Sequence, residues 1–114
     1  MILPIFSKMY ISNILESVIK NDAHLTIITN AAILDLIHEN DSSNVFDSLV
    51  DEDKIDIIET DYDLEMFFTA CDNFSSLFLF FNRNFFDDSE MLLVKDEEMI
   101  KNALLMFSDF KKKF

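Results

Sequence analysis

Not one of the 114 residues is glycine, and this absence constrains both the turns and the chemistry of the chain. Average usage of about 7% would give roughly eight glycines. The P-loop and the dinucleotide-binding fingerprint both need glycine at fixed positions, so both are excluded. Tight turns are therefore expected at asparagine and aspartate, which also tolerate a positive φ.

The size and the charge of the chain exclude further classes of protein. At 114 residues the chain is predicted to form one domain, residues 1–114, and half of its residues are hydrophobic, which disfavours disorder. The formal charge is −13, with 22 acidic against 9 basic residues. Phosphate neutralisation needs a basic face, and Arg83 is the only arginine. Direct contact of this chain with nucleic acid is therefore not expected.

Nothing in the sequence indicates export or membrane insertion. Cys71 is the only cysteine, so no internal disulfide is possible. The apolar start of the chain lacks the basic region of a signal peptide. The longest apolar run, Leu77 to Phe81, is far shorter than the roughly 20 residues of a membrane span. The sequence therefore predicts a soluble cytoplasmic domain.

Hydrophobic periodicity predicts an α/β fold. Helices are expected after caps at Ser7, Asn30 and Asp96, with a shorter one from Val45 to Val50. Five short apolar or β-branched segments are expected to be strands: 24–29, 54–59, 64–71, 74–81 and 91–94. The first two strands flank a helix, which favours parallel pairing. The next two flank Asp72-Asn73, which predicts an antiparallel hairpin. The result is a mixed sheet of about five strands covered by helices.

No catalytic or metal constellation stands out. His24 and His38 lack partner motifs, and no histidine is placed to orient the thiol of Cys71. The carboxylates from Asp61 to Glu65 resemble the start of a calcium loop. That loop fails because its sixth position is Met66 rather than glycine. We therefore predict no enzyme activity, no metal and no cofactor, with the second acidic cluster at 87–90 a solvated loop.

Eight phenylalanines fall between residues 67 and 86. These side chains either all belong to the hydrophobic core, or some of them line an apolar effector pocket or a dimer interface. Ligands in such sheets commonly bind at the carboxyl ends of strands, and a helix N-terminus there favours anionic groups. The predicted ligand-facing residues are Thr29, Asn30, Phe78, Asn84 and Asp87.

Several motifs in the second half of the chain carry a family resemblance. Residues 71–74 (CDNF) match a T-D-x-F motif, and residues 76–80 (SLFLF) match S-L-G-L-F. Residues 84–87 match a turn, residues 96–99 open the last helix, and residues 107–113 match its aromatic and basic end. Upstream, residues 25–30 (LTIITN) match a strand before a helix. With these motifs the chain resembles the methanogenesis-regulator type effector domain of archaeal winged-helix transcription regulators in methanogens.

The chain departs from this family at three glycine positions. Phe78 and Asn84 replace glycine, and Asn102-Ala103 stand where the family has Trp-Gly. The winged helix that precedes this domain in full-length relatives is not expected within residues 1–20, which lack basic character. Any DNA contact would therefore lie in another part or another chain.

The resemblance implies a fold and a function. The fold would be related to phospholipase-D-like sensor domains without their catalytic residues. The function would be that of a non-catalytic effector domain in transcription control, which senses a small molecule, dimerises, or does both. The partners would be that effector and either a second copy or a paralogous regulator, with no membrane. The alternative is a protein-interaction module, a truncated paralogue that forms homo- or heterodimers without a ligand.

Overall fold

The computed structural model describes residues 1–4, 6–41, 43–62, 64, 66–70, 75–82, 85–86 and 92–114. The described residues contain seven strands and four helices. The strands are β1 (Ile2–Leu3), β2 (Leu25–Thr29), β3 (Ile55–Glu59), β4 (Met66–Ala70), β5 (Ser75–Asn82), β6 (Phe85–Phe86) and β7 (Leu92–Val94). The helices are α1 (Lys8–Lys20), α2 (Ala31–Glu39), α3 (Val45–Asp51) and α4 (Glu97–Lys111).

The chain divides into two compact units, which we describe separately. The first, the helical unit, is Ile5–Tyr62 and holds α1, α2, α3, β2 and β3. The second, the sheet unit, comprises Met1–Pro4 and Asp63–Phe114 and holds the other strands and α4. The expectation of a single domain stays a prediction.

In the helical unit, β2 and β3 pair in parallel from Leu25 with Ile55 to Thr29 with Glu59. This confirms the parallel pairing that the helix between them predicts. The core is built from the apolar faces of α1, α2 and α3 together with β2 and β3. Its buried side chains are Ile11, Leu15, Val18, Ile27, Ile28, Ile33, Ile37, Phe46, Leu49 and Ile55.

The predicted caps of three helices are confirmed. Ser7 accepts from the Tyr10 N–H at 3.4 Å, and Asn30 accepts from the Ile33 N–H at 3.0 Å. Asp96 likewise accepts from the Met99 N–H at 3.1 Å. Each side-chain oxygen satisfies one of the amides that have no acceptor within the first helical turn.

The turns of the helical unit show how a chain without glycine bends. Asp22, Asn44 and Asp53 all have positive φ, at 48°, 55° and 59°. Each lies directly after or before a helix, where a left-handed residue reverses the chain. Aspartate and asparagine therefore occupy positions that most chains give to glycine.

In the sheet unit, every pairing is antiparallel. β1 pairs with β4, and β4 pairs with β5 from Met66 with Leu79 to Ala70 with Ser75. The predicted hairpin is therefore present, although Asp72-Asn73 lies outside the described residues. β5 also pairs with β6 and with β7. Helix α4 packs on this sheet, with the Phe107 ring stacked at 6.0 Å from that of Phe68.

The number of strands differs from the prediction. The described residues contain seven strands rather than about five, because β1 and β6 were not expected. Each has only two residues, too few to show an alternating pattern in the sequence. The α/β class and the mixture of parallel and antiparallel pairs agree with the prediction.

Candidate functional site

The predicted site begins where β2 ends. Thr29 is completely buried, and its carbonyl accepts from the Thr60 N–H at 2.9 Å. Asn30 follows it and is half-buried, with its side-chain oxygen engaged at the N-terminus of α2. The structure thus brings Thr29 and Asn30 together at a strand end, as expected. Both have structural roles there, and their contact with a ligand stays a prediction.

The other three predicted ligand residues lie elsewhere in the chain. Phe78 belongs to β5, where it is the backbone partner of Phe67 on β4. Asn84 and Asp87 lie outside the described residues, as do Cys71 and the acidic cluster at 87–90. A shared pocket of these residues therefore stays a prediction.

The helical unit contains a partly open cleft of about 210 Å³ that the sequence did not predict. It lies between the first half of α1 and the corner that joins α2 to α3. Its apolar lining consists of Phe6, Ile11, Leu15, Ile37, Val45 and Phe46. Its polar lining consists of Lys8, Ser12, Asn40, Asp41 and Ser43. None of the five predicted ligand residues is in this lining.

The floor of the cleft is apolar because buried core side chains reach it. Phe46 is fully buried, and Ile11, Leu15 and Ile37 are each at most 8% exposed. They come from three different helices, so the cleft depends on how these helices pack. Its volume of about 210 Å³ lies below the roughly 300–1,000 Å³ of common small-molecule pockets, which suits a ligand smaller than a typical drug.

Hydrogen bonds fix the polar corner of the cleft. The side-chain amide of Asn40 donates to the Leu36 carbonyl at 2.8 Å, and this hydrogen bond lies at the C-terminal end of α2. Asn44, the N-cap of α3, makes no side-chain capping bond. Instead, an Asp41 carboxylate oxygen accepts from the Asp47 N–H at 3.3 Å. Asp41 therefore supplies the acceptor that the first turn of α3 lacks.

A polar contact and a ring contact join α2 to α3 at the same corner. His38 Nδ1 lies 3.1 Å from Asp47 Oδ1, and both side chains are about half exposed. The His38 ring also meets the Phe46 ring edge-on, with centroids 5.5 Å apart. His38 thus contacts both Asp47 and Phe46 of α3 from its place in α2.

Lys8 and Asp41, the charged residues of the cleft lining, differ in their electrostatic surroundings. Asp41 faces a helix N-terminus, whose partial positive charge offsets its own. Lys8 is exposed and makes no ion pair within the described part of the chain. It lies in the first turn of α1, which contains no acidic residue. The rim therefore places an exposed ammonium group beside an apolar floor.

Two sequence signals point towards these residues in retrospect. The first turn of α1 carries a lysine where an acidic residue is favoured. Residues 41–44 (DSSN) are a polar segment between two predicted helices. Neither signal shows that α1 lies against this segment.

Replacing Asp41 with alanine is expected to lower the free energy of unfolding by about 1 kcal/mol, because α3 loses its capping acceptor. Urea denaturation followed by tyrosine fluorescence measures this, since both tyrosines, Tyr10 and Tyr62, belong to the helical unit. Ser43→Ala is the matched control in the same loop, and a change within about 0.5 kcal/mol is expected for it. Equal losses in the two variants would contradict the capping role of Asp41.

Other polar pairs do not form a second site. His24 Nε2 lies 3.1 Å from Asp56 Oδ2, joining the starts of β2 and β3 with both side chains more than half exposed. In the described residues no group of three or more histidine, cysteine or acidic side chains is arranged to hold a metal ion. None of the described helices has the length and apolar character to cross a membrane.

The fold and cleft define an α/β domain with a small amphipathic site whose lining contains neither histidine nor cysteine. Comparison with protein families gives a match over residues 1–113 to the family described as methanogenesis regulatory protein FilR1, middle domain. The chain belongs to this family, which confirms the resemblance. No curated protein and no solved structure matches the chain significantly.

Proposed function

We propose that this middle domain of a transcription regulator binds a small amphipathic effector in the cleft of the helical unit and acts as a dimer. The regulatory class follows from the family. The domain would catalyse no reaction and would work in the cytoplasm with the rest of its regulator. Because its charge is −13, contact with DNA would fall to another part of the regulator or to another chain.

The observation that carries the proposal is the cleft itself. Its buried floor removes an apolar group from water, and its rim offers hydroxyl, amide and ammonium groups for a polar end. Lys8 favours a negative charge at that end, whereas the Asp41 carboxylate is already engaged by the Asp47 N–H. We therefore assign the effector to small organic anions with an apolar body, such as short-chain carboxylates.

The strand end at Thr29 and Asn30 is a separate part of the proposal. Thr29 and Asn30 would contact an effector or partner, and Phe78, Asn84 and Asp87 of the sheet unit are proposed separately as ligand-facing residues. The support for the strand end is its position beside a helix N-terminus and the family resemblance. The phospholipase-D-like sensor topology implied by that resemblance is proposed on the same ground.

Hexanoate is a suitable probe, and its binding is expected to weaken about tenfold in Lys8→Met. A tenfold loss corresponds to about 1.4 kcal/mol, within the range of a charge-assisted hydrogen bond. The measurement is the shift of backbone amide signals in NMR spectra during titration, with the largest shifts at Ser12, Asn40 and Val45. Hexanol and hexylamine, with the same chain length, show whether the negative charge matters.

Lys20→Met is the matched control, since it removes the same charge from the last turn of the same helix. Its affinity for hexanoate is expected to equal that of the unchanged protein. If Lys8→Met and Lys20→Met weaken binding equally, only the overall charge matters and the assigned site is wrong. Shifts confined to residues outside the cleft would also overturn it.

A second candidate function is a protein-interaction module that carries no ligand. Exposed apolar side chains on α4 favour it, including Met99 and Leu105 at 55% and 57% exposure. The two functions differ in a simple outcome. The module would dimerise and show no saturable binding of hexanoate, hexanol or hexylamine in the cleft.

A further inference from the structure

Helix α4 carries an apolar stripe on its solvent side. We use the term α4 stripe for Met99, Met106, Phe110 and Phe114, which follow one another at spacings of seven, four and four residues. Met99 and Met106 are 55% and 56% exposed, and Phe114 is 43% exposed. Phe110 is half-buried and meets Phe114 edge-on at 5.2 Å. The spacing places Met99, Met106 and Phe110 on one side of the helix, and Phe114 follows three residues after the helix ends at Lys111.

The stripe is distinct from the face of α4 that the sheet unit uses. Ile100 is buried and Phe107 stacks on Phe68, so these residues hold the helix on its own sheet. Met99 and Met106 lie beside this face, and more than half of each side chain is exposed to water. Adjacent exposed methionines and phenylalanines are typical of adaptable protein contacts.

Charges at the two ends of α4 identify an occupant. The helix begins with Asp96, Glu97 and Glu98 and ends in the three lysines 111–113. These lysines are a third of the nine basic residues of a strongly acidic chain. A second α4 that runs antiparallel would bring its basic end to the acidic end of the first, and its acidic end to the basic end. The surface is therefore complementary to itself.

We propose that two copies of this domain pair through the α4 stripe, with the two helices antiparallel about a two-fold axis. The inference rests on the dimeric state proposed above and names its surface. The helix has 15 residues and is about 21 Å long. If Glu97 and Glu98 pair with Lys113 and Lys112 of the second copy, the two-fold axis passes the helix at the level of residue 105. The two copies of Met106 then meet near the axis.

Self-complementarity is what a two-fold interface requires, because the same patch serves both partners. The dimer would cover Met99 and Met106 and place opposite charges at both rims. Lys113 already lies over the Phe110 ring at 5.6 Å, so the basic end and the stripe form one continuous surface.

A charge-swap experiment on the full 114-residue chain tests the antiparallel pairing. Variant one carries Glu97→Lys and Glu98→Lys, and variant two carries Lys112→Glu and Lys113→Glu. Each alone would face like charges across the axis, so its dimer dissociation constant is expected to rise at least tenfold at low ionic strength. Mixed together, the two variants would restore opposite charges at both rims and form heterodimers.

Native mass spectrometry with one variant labelled by ¹⁵N measures the mixture, and circular dichroism confirms that each variant keeps its helices. The expected result is a heterodimer population well above the statistical half. A statistical mixture, or homodimers as strong as those of the unchanged chain, would overturn the antiparallel α4 interface.

A second pair of variants tests the stripe without changing its ends. Met106→Glu would place a charge near the axis, and the dimer is expected to weaken about a hundredfold. Ser108→Glu is the control, because a residue two positions along a helix is turned by about 200°. Ser108 is also exposed, so a glutamate there should leave the dimer unchanged.

The outcomes separate this inference from the proposed function. A dimer that tolerates Met106→Glu and both charge variants would overturn the α4 surface while the proposed dimeric state stands. A chain that is monomeric at all accessible concentrations would overturn both. Hexanoate binding in the cleft is measured independently and is affected by neither result.

Discussion

Phe46→Ala is expected to destabilise the helical unit by about 3–5 kcal/mol, the range for truncating a buried phenylalanine. Phe46 is fully buried, forms part of the floor of the cleft and contacts the His38 ring. The substitution removes a ring that joins α3 to the core. Urea denaturation followed by the fluorescence of Tyr10 and Tyr62 measures this loss, since both tyrosines belong to the helical unit and the chain has no tryptophan.

Met9→Ala is the control, since it removes a large apolar side chain of the same unit from a position that is 76% exposed. Its effect on the tyrosine transition is expected to stay below about 0.5 kcal/mol, as for most surface substitutions. A loss below 1 kcal/mol in Phe46→Ala would contradict the packing described for the cleft floor. In the folded variant the deeper cleft should prefer octanoate to hexanoate, which links the core to the proposed specificity.

Local features of the fold were predictable because their signals lie within a few residues. The caps at Ser7, Asn30 and Asp96 each act on an amide three residues away. The parallel pairing of β2 and β3 was predictable because the helices between them leave room for a crossover. The hairpin of β4 and β5 follows in the same way from the short connection between them.

Features that depend on distant partners were missed. The strand Ile2–Leu3 has two residues, and Ile2 pairs with Phe68, 66 positions later in the sequence. No pattern in six apolar residues at the start of the chain distinguishes such a strand from a helix turn. Ile19 shows the same limit. It fits the apolar spacing of α1, yet it is 57% exposed because the core touches only the side of α1 with Ile11, Leu15 and Val18.

The candidate site illustrates the limit most clearly. Sequence reasoning followed the rule that ligands bind at strand ends, and it selected Thr29 and Asn30. The structure uses these two residues to join β2 to α2, with Thr29 buried and Asn30 capping. The cleft instead arises where α1 meets the corner after α2, which depends on helix packing. None of its polar residues stands out in the sequence, and they line a cleft only because the fold brings them together.

The amino group of Met1 is expected to make stability depend on pH between 5 and 8. In a polypeptide that begins with a free amine at Met1, burial and, to a smaller extent, the charge of Lys111 together lower the pKa of this group from 8.0 to about 5. The unfolded chain therefore binds a proton in this interval that the folded chain does not. The free energy of unfolding should rise with pH from 5 to 8, by up to about 4 kcal/mol, and level off above 8.

Urea denaturation followed by circular dichroism, at half-unit steps from pH 5 to pH 8, measures this dependence. Acetylating the amine removes the titrating group, so the acetylated chain is expected to lose most of the slope. The Asp22–Lys54 ion pair does not interfere: it lowers the pKa of Asp22 from 3.8 and raises that of Lys54 from 10.5, and both then titrate outside the interval. Equal slopes with and without the acetyl group would show that the Met1 amine is solvated in the folded chain.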